Sequence, residues 1–230
     1  MRNFLLVLHI LLLVAWLGID VGVFTSSFFI RRRGLSGDAR VELRRLMRGL
    51  DLAPRLSLVL MIPVGLGLAD VGGYAQVPTW VLAPVTIIGI AWAGLSVWSF
   101  RRLAVLGSPD PGRAPAGWFR KLDLWLRLVA VAGFMGFGAA SLVGASDVFP
   151  ADFVAIKAVM FGTLILAGLR IRSAAAPFTP ALRSVVEEGE AEEQLVVMDQ
   201  AMRRVYPAVL YIWGGLVVMT FVAVFRPTLG

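Results

Sequence analysis

Three ionisable side chains stand inside otherwise apolar segments: His9, Asp20 and Lys157. A charge in hydrocarbon is costly, so such residues are default candidates for proton carriage, ligand binding or metal ligation. On a helix of 3.6 residues per turn, positions 9, 16 and 20 fall within about 40° of one another. His9, Trp16 and Asp20 therefore predict one stripe of the first apolar segment, turned toward its neighbours. His9 is expected about two turns from the outer end of that segment, with Asp20 near its middle or inner third. Lys157 is expected about one turn into the fifth segment, from the same end as His9. The functional reading is a shared polar pocket, in which His9 is a ligand or proton carrier. Lys157 is then the positive partner of an anion, a propionate or a quinone oxygen. The competing reading is structural: Lys157 snorkels outward, His9 bonds a neighbouring helix, and Asp20 pairs with Arg55 or Arg127 to fix packing.

Other chemistries are excluded by what the chain lacks. It has no cysteine, which removes disulfides, thiolate metal sites and cysteine nucleophiles. Its single histidine excludes a His-rich metal cage or a two-histidine haem site built within one chain. Met61, Met135 and Met160 fall on different apolar segments without a Met-x-x-Met pattern, so they read as core filling rather than soft copper ligands. No phosphate loop, nucleophile elbow, HExxH or paired-carboxylate motif occurs.

The elements that must position these residues follow from composition. Apolar residues make up 58% of the 230 and charged ones 16%, with a mean hydropathy of +0.80, which points to the bilayer as solvent. A spanning helix needs about 20 apolar residues because its backbone amides must be satisfied internally. Six segments qualify: 4–30, 52–69, 80–100, 124–145, 153–169 and 205–225. They predict an all-α, six-span transmembrane bundle forming a single integral membrane domain over residues 1–230. The first segment would reach about 40 Å, so it should tilt or project beyond the membrane. It is too long for a cleaved signal peptide, and no small-residue cleavage site follows it.

Basic loops stay cytoplasmic. The connections 31–55, 101–127 and 170–204 hold 8, 6 and 5 basic residues, whereas those around Asp70 and Asp147 hold none. Both termini are thus expected on the non-cytoplasmic side of a bacterial inner membrane. The net charge of +7 flanks apolar segments, which favours membrane anchoring over nucleic acid. The expected partners are the lipid bilayer and other membrane subunits or a second copy of the chain.

The connections carry structure of their own. Between 37 and 50, Ala39, Val41, Leu43, Leu46, Met47 and Leu50 alternate with Arg40, Arg44, Arg45 and Arg48, as in an interfacial amphipathic helix on the inner leaflet. The acid-rich stretch 182–204 reads as a solvated helix leading into the last span. Pro109, Pro111 and Pro115 predict an irregular loop. The pattern L-D-L-x-x-R-L occurs at 50–56 and 122–128, and Asp199 and Arg203 repeat its acid-to-base spacing. Three related parallel hairpins would explain this, as would a local preference for an acid–base pair at each inward helix end. Gly136, Ala140 and Gly144 predict a close-packing face on the fourth span.

The run His9-Ile10-Leu11-Leu12-Leu13-Val14-Ala15-Trp16-Leu17-Gly18 resembles the H-x6-W-x-G opening helix of the CopD-like membrane proteins. That grouping includes copper-resistance membrane components and the HemJ-type protoporphyrinogen oxidases. The segment 153–160, around Lys157, is similar to their lysine-bearing helix. The resemblance implies a helical bundle whose first-helix histidine ligates haem b or sits on a copper path. It would make His9 the axial or metal ligand, Trp16 part of the cofactor pocket, and Lys157 a contact for propionate or substrate. The chain departs from the HemJ pattern at Leu6, where those proteins carry lysine, and at Phe24-Thr25, where they carry Pro-Arg. It also lacks their further histidines, so a bound haem would take a sixth ligand that is not histidine or comes from a partner. Three classes stay open: a cofactor or copper protein, a non-catalytic scaffold or subunit of a larger complex, and a transporter or proton-conducting protein.

Overall fold

The computed structural model describes residues 1–102, 106 and 117–228. Pro109, Pro111 and Pro115 lie outside the described residues. Among the described residues seven helices follow one another: α1 (Arg2–Phe29), α2 (Gly37–Val71), α3 (Thr79–Arg102), α4 (Gly117–Leu142), α5 (Asp152–Ala174), α6 (Phe178–Glu187) and α7 (Glu192–Phe225). Among the described residues no strand occurs. All but the ten-residue α6 are long and apolar enough to cross a membrane, so the fold is the all-α six-span bundle of a multi-pass membrane protein. Large apolar side chains such as Phe4, Val14, Ile87, Val129 and Phe221 point out of the bundle, a surface suited to lipid. Prolines 54, 63, 84 and 207 lie inside helices, where neighbouring helices can compensate the lost backbone bond.

Packing groups the spans in threes. α2 runs between α1 and α3, α5 runs between α4 and α7, and the two groups meet more thinly, α1 with α7 and α3 with α4. This is not the arrangement of three equally packed hairpins. Asp51–Arg55 and Asp123–Arg127 form ion pairs one turn apart, but Asp199 pairs with Arg31, just past the end of α1, and not with Arg203. The third copy of the pattern therefore does a different job. On α4 the expected small-residue face is also corrected, since Gly136 and Gly144 have open space beside them. The close approach is made by Gly138, where a Cβ would sit 2.9 Å from Val159 Cγ2 and 3.0 Å from the Ala155 carbonyl oxygen. Only glycine lets α4 and α5 meet there.

Two polar connections turn out to be packed structure. The 37–50 stretch is helical but continuous with the second span, making α2 a single helix of 35 residues capped by Ser36, whose hydroxyl accepts from the Ala39 amide. Its Arg40 is not a solvated charge. Fully buried, it donates to the carbonyls of Ile30 (2.5 Å) and Arg32 (2.9 Å), orphaned where α1 ends, and to Glu190 (3.1 Å). The 182–204 stretch is likewise not one solvated helix. It breaks at Gly189, whose φ of +100° suits glycine, and α6 folds back on the start of α7. Phe178, Leu182, Leu195 and Met198 are buried there with Ile30, because each helix carries an apolar stripe that the acidic residues conceal in a simple composition count.

Candidate functional site

The opposite end of the bundle holds both termini and the connections that follow α2 and α4. The connections after α2 and after α4 join through a Gln76 amide donating to the Val148 carbonyl at 2.9 Å, and Ala75 and Phe149 are buried beneath them. Between α1, α2, α5 and α7 this cap roofs a cavity of about 460 Å³, within the ~300–1,000 Å³ usual for small-molecule sites. Its floor is aromatic. Trp16 is buried and meets Phe161 edge-on at 6.2 Å, and Phe134 meets the same ring at 5.1 Å.

His9 and Lys157 both line this cavity, so α1 and α5 bring together the two residues singled out in the sequence, and Trp16 lies beneath them. The His9 ring rests on α2 where residue 65 is glycine; a Cβ there would lie 3.5 Å from Cε1. His9 Nδ1 is buried without a hydrogen-bond partner, and among the described residues the Lys157 ammonium makes no hydrogen bond or ion pair. The structural alternative for His9, a bond to a neighbouring helix, is therefore not what the geometry shows. Arg2 and Arg226 add two guanidinium groups to the lining, and among the described residues no aspartate or glutamate contributes to it. Arg226 ends α7 with a left-handed φ of 48° and lays its guanidinium over the Tyr74 and Phe153 rings, at 5.3 and 5.7 Å. Sequence reasoning missed both arginines, since each lies outside the apolar run it flanks.

Asp20, Arg55 and Arg127 do not belong to this cavity. The expected pairing of Asp20 with Arg55 or Arg127 is not made. Arg55 is held by Asp51 (2.7 Å) and Arg127 by Asp123 (3.1 Å), each within its own helix. Asp20 instead accepts a hydrogen bond from the Trp213 indole of α7 at 2.9 Å. The sequence did hold a signal for this. A tryptophan inside a span carries an N–H that seeks an acceptor, and Asp20 is the acid on the facing stripe of α1.

The arrangement can hold an apolar molecule with a negatively charged head. It is poorly suited to a bare metal ion: among the described residues no three His, Cys, Asp or Glu side chains converge. Comparison with protein-family models, with curated proteins and with solved structures returned no match.

Proposed function

We propose that this protein lies in a bacterial inner membrane with both termini outside, and that it binds an amphipathic anion in the cavity between α1, α2, α5 and α7. One observation carries the reading: an aromatic and aliphatic cavity is lined by His9, Lys157, Arg2 and Arg226, and among the described residues no aspartate or glutamate lines it. The half-buried Lys157 ammonium is costly without a counter-charge, and an anionic ligand removes that cost, with the exposed Arg2 and Arg226 at hand for its head group. The uneven placement of arginines supports the orientation.

Haem b is the occupant we test first. Lys157 and the two arginines would hold its propionates, Trp16 and Phe161 would pack against its macrocycle, and His9, the one imidazole in the chain, would be offered to its iron. When bound, haem supplies one-electron exchange; this chain's residues bind it, orient it and exclude water. The resemblance of the 9–18 segment to the CopD-like opening helix supports the same choice. Copper comes second to haem, because among the described residues no three His, Cys, Asp or Glu side chains converge, although Met61 and Met219 line the cavity with His9.

The test is titration of the detergent-purified protein with haemin, followed by absorption. A Soret band that shifts on binding, is lost in His9→Ala and needs at least tenfold more haemin in Lys157→Ala supports haem. If His9→Ala leaves the spectrum unchanged while Lys157→Ala weakens binding, the anion is held without iron ligation. If haemin and a fluorescent long-chain carboxylate both fail to bind, the ligand reading is overturned and a scaffold role remains.

A further inference from the structure

Asp20 is not explained by the outer cavity. It lies 18 residues from Arg2 and 9 from Phe29, about 27 Å and 14 Å along α1, closer to the arginine-rich end. Its stripe of α1 runs through His9, Trp16, Asp20 and Ser27, all within about 40° of rotation and spanning about 27 Å, and Arg31 follows just past the helix end. That length is close to the ~30 Å hydrocarbon thickness of a bilayer. Polar groups thus follow one face of α1 from the cavity to the arginine-rich end, interrupted by the buried Trp16.

Among the described residues Asp20 forms no ion pair, and Trp213 of α7 is its one side-chain donor. On α2 Asp51 and Arg55 are joined to each other, and Arg48 donates to the Phe100 carbonyl. On α7 Tyr206 and Asp199 are both bound by Arg31, just past the end of α1. Beyond α2, Arg127 of α4 and Arg172 of α5 both hold Asp123. The Ser26 and Ser27 hydroxyls donate to carbonyls of their own helix. Pro54 adds a further polar group at this depth: lacking an N–H, it leaves the Leu50 carbonyl without its helical donor. A Cβ on Gly22 would lie 3.0 Å from Leu50 Cδ1, so that turn of α2 is level with Asp20.

We propose that Asp20 is a proton-binding site within the membrane-spanning bundle, through which the protein passes protons between the cavity side and the arginine-rich side. The carboxylate takes a proton from water on one side, becomes a neutral acid that still accepts from Trp213, and releases the proton to water on the other side. No electron moves, and one positive charge crosses for each cycle. Trp16 keeps the two approaches separate. The site does not depend on what fills the outer cavity.

The full chain is reconstituted in liposomes loaded with a fluorescent pH dye, and a potassium diffusion potential is imposed with valinomycin. The wild-type chain is expected to acidify the lumen at least tenfold faster than empty liposomes. Asp20→Asn is expected to fall to the empty-liposome rate while eluting and melting as wild type, and Asp20→Glu to restore part of the flux. Infrared difference spectra between acid and alkaline buffer should show a carboxylic-acid C=O band that Asp20→Asn removes. Equal rates for wild type and Asp20→Asn, a flux that follows sodium instead of protons, or the absence of the Asp20 band would each overturn the proposal.

Discussion

Two tryptophan–aspartate hydrogen bonds of the same length, 2.9 Å, tie neighbouring helices, and they differ in what else the acid holds. Trp92 of α3 donates to Asp123 of α4, where Arg127 (3.1 Å) and Arg172 (2.9 Å) also bind the carboxylate. Trp213 of α7 donates to Asp20 of α1, and no cation joins it among the described residues. The two clamps stand where α3 meets α4 and α1 meets α7, the two thin contacts between the three-helix groups. One clamp is thus a compensated ion cluster and the other a lone acid in an apolar setting. The same local geometry serves cohesion in one place and leaves a titratable group available in the other.

The comparison can be broken by stability measurements in mixed micelles titrated with SDS. Asp123→Asn should have the largest effect, because it strands Arg127, whose side chain is 12% exposed, beside Arg172. Removing one partner of such a pair costs about 3 kcal/mol. A loss below about 1 kcal/mol would mean that the cluster does not hold α3, α4 and α5 together. Trp213→Phe comes next, at about 1.5–2 kcal/mol, since it strips the only donor from Asp20. Trp92→Phe should cost less, about 1 kcal/mol, because Asp123 keeps its two arginines; the reverse order would show that Asp20 has a partner stronger than an indole. Arg55→Gln should cost under about 1 kcal/mol, its pair with Asp51 being exposed. Smallest of all is Asp20→Asn, expected within about 0.5 kcal/mol because the amide oxygen still accepts from Trp213. A large loss there would turn Asp20 into a packing residue and remove the contrast.

Much of this was legible in the residues, and the rest fails for one physical reason. The six spans are readable because hydrocarbon imposes length and apolarity on each helix independently of its neighbours. The stripe of His9, Trp16 and Asp20 is readable because helical periodicity is local. Ion pairs one turn apart, at Asp51–Arg55 and Asp123–Arg127, are local too. What a linear reading cannot supply is a partner chosen by tertiary packing. Arg31 and Asp199 lie 168 residues apart, and Asp20 and Trp213 lie 193 apart. The apolar stripes of α6 and the start of α7 were hidden for a similar reason: acid-rich composition suggests solvation, while spacing decides which face is buried. Arg40 gave no signal at all, because the carbonyls it satisfies exist only where α1 ends.

The bond from Arg31 to Asp199 and Tyr206 also imposes an order on biogenesis. At ~5–20 residues per second, α7 emerges on the order of 10–30 s after Arg31 has been made. During that interval the guanidinium at the end of the first helix is an unneutralised charge, available to lipid phosphates and able to resist translocation. Once the last helix inserts, its acid and phenol close over the same group. A residue that stands without its partners while the rest of the chain is made thus ends as the latch between its first and last helices.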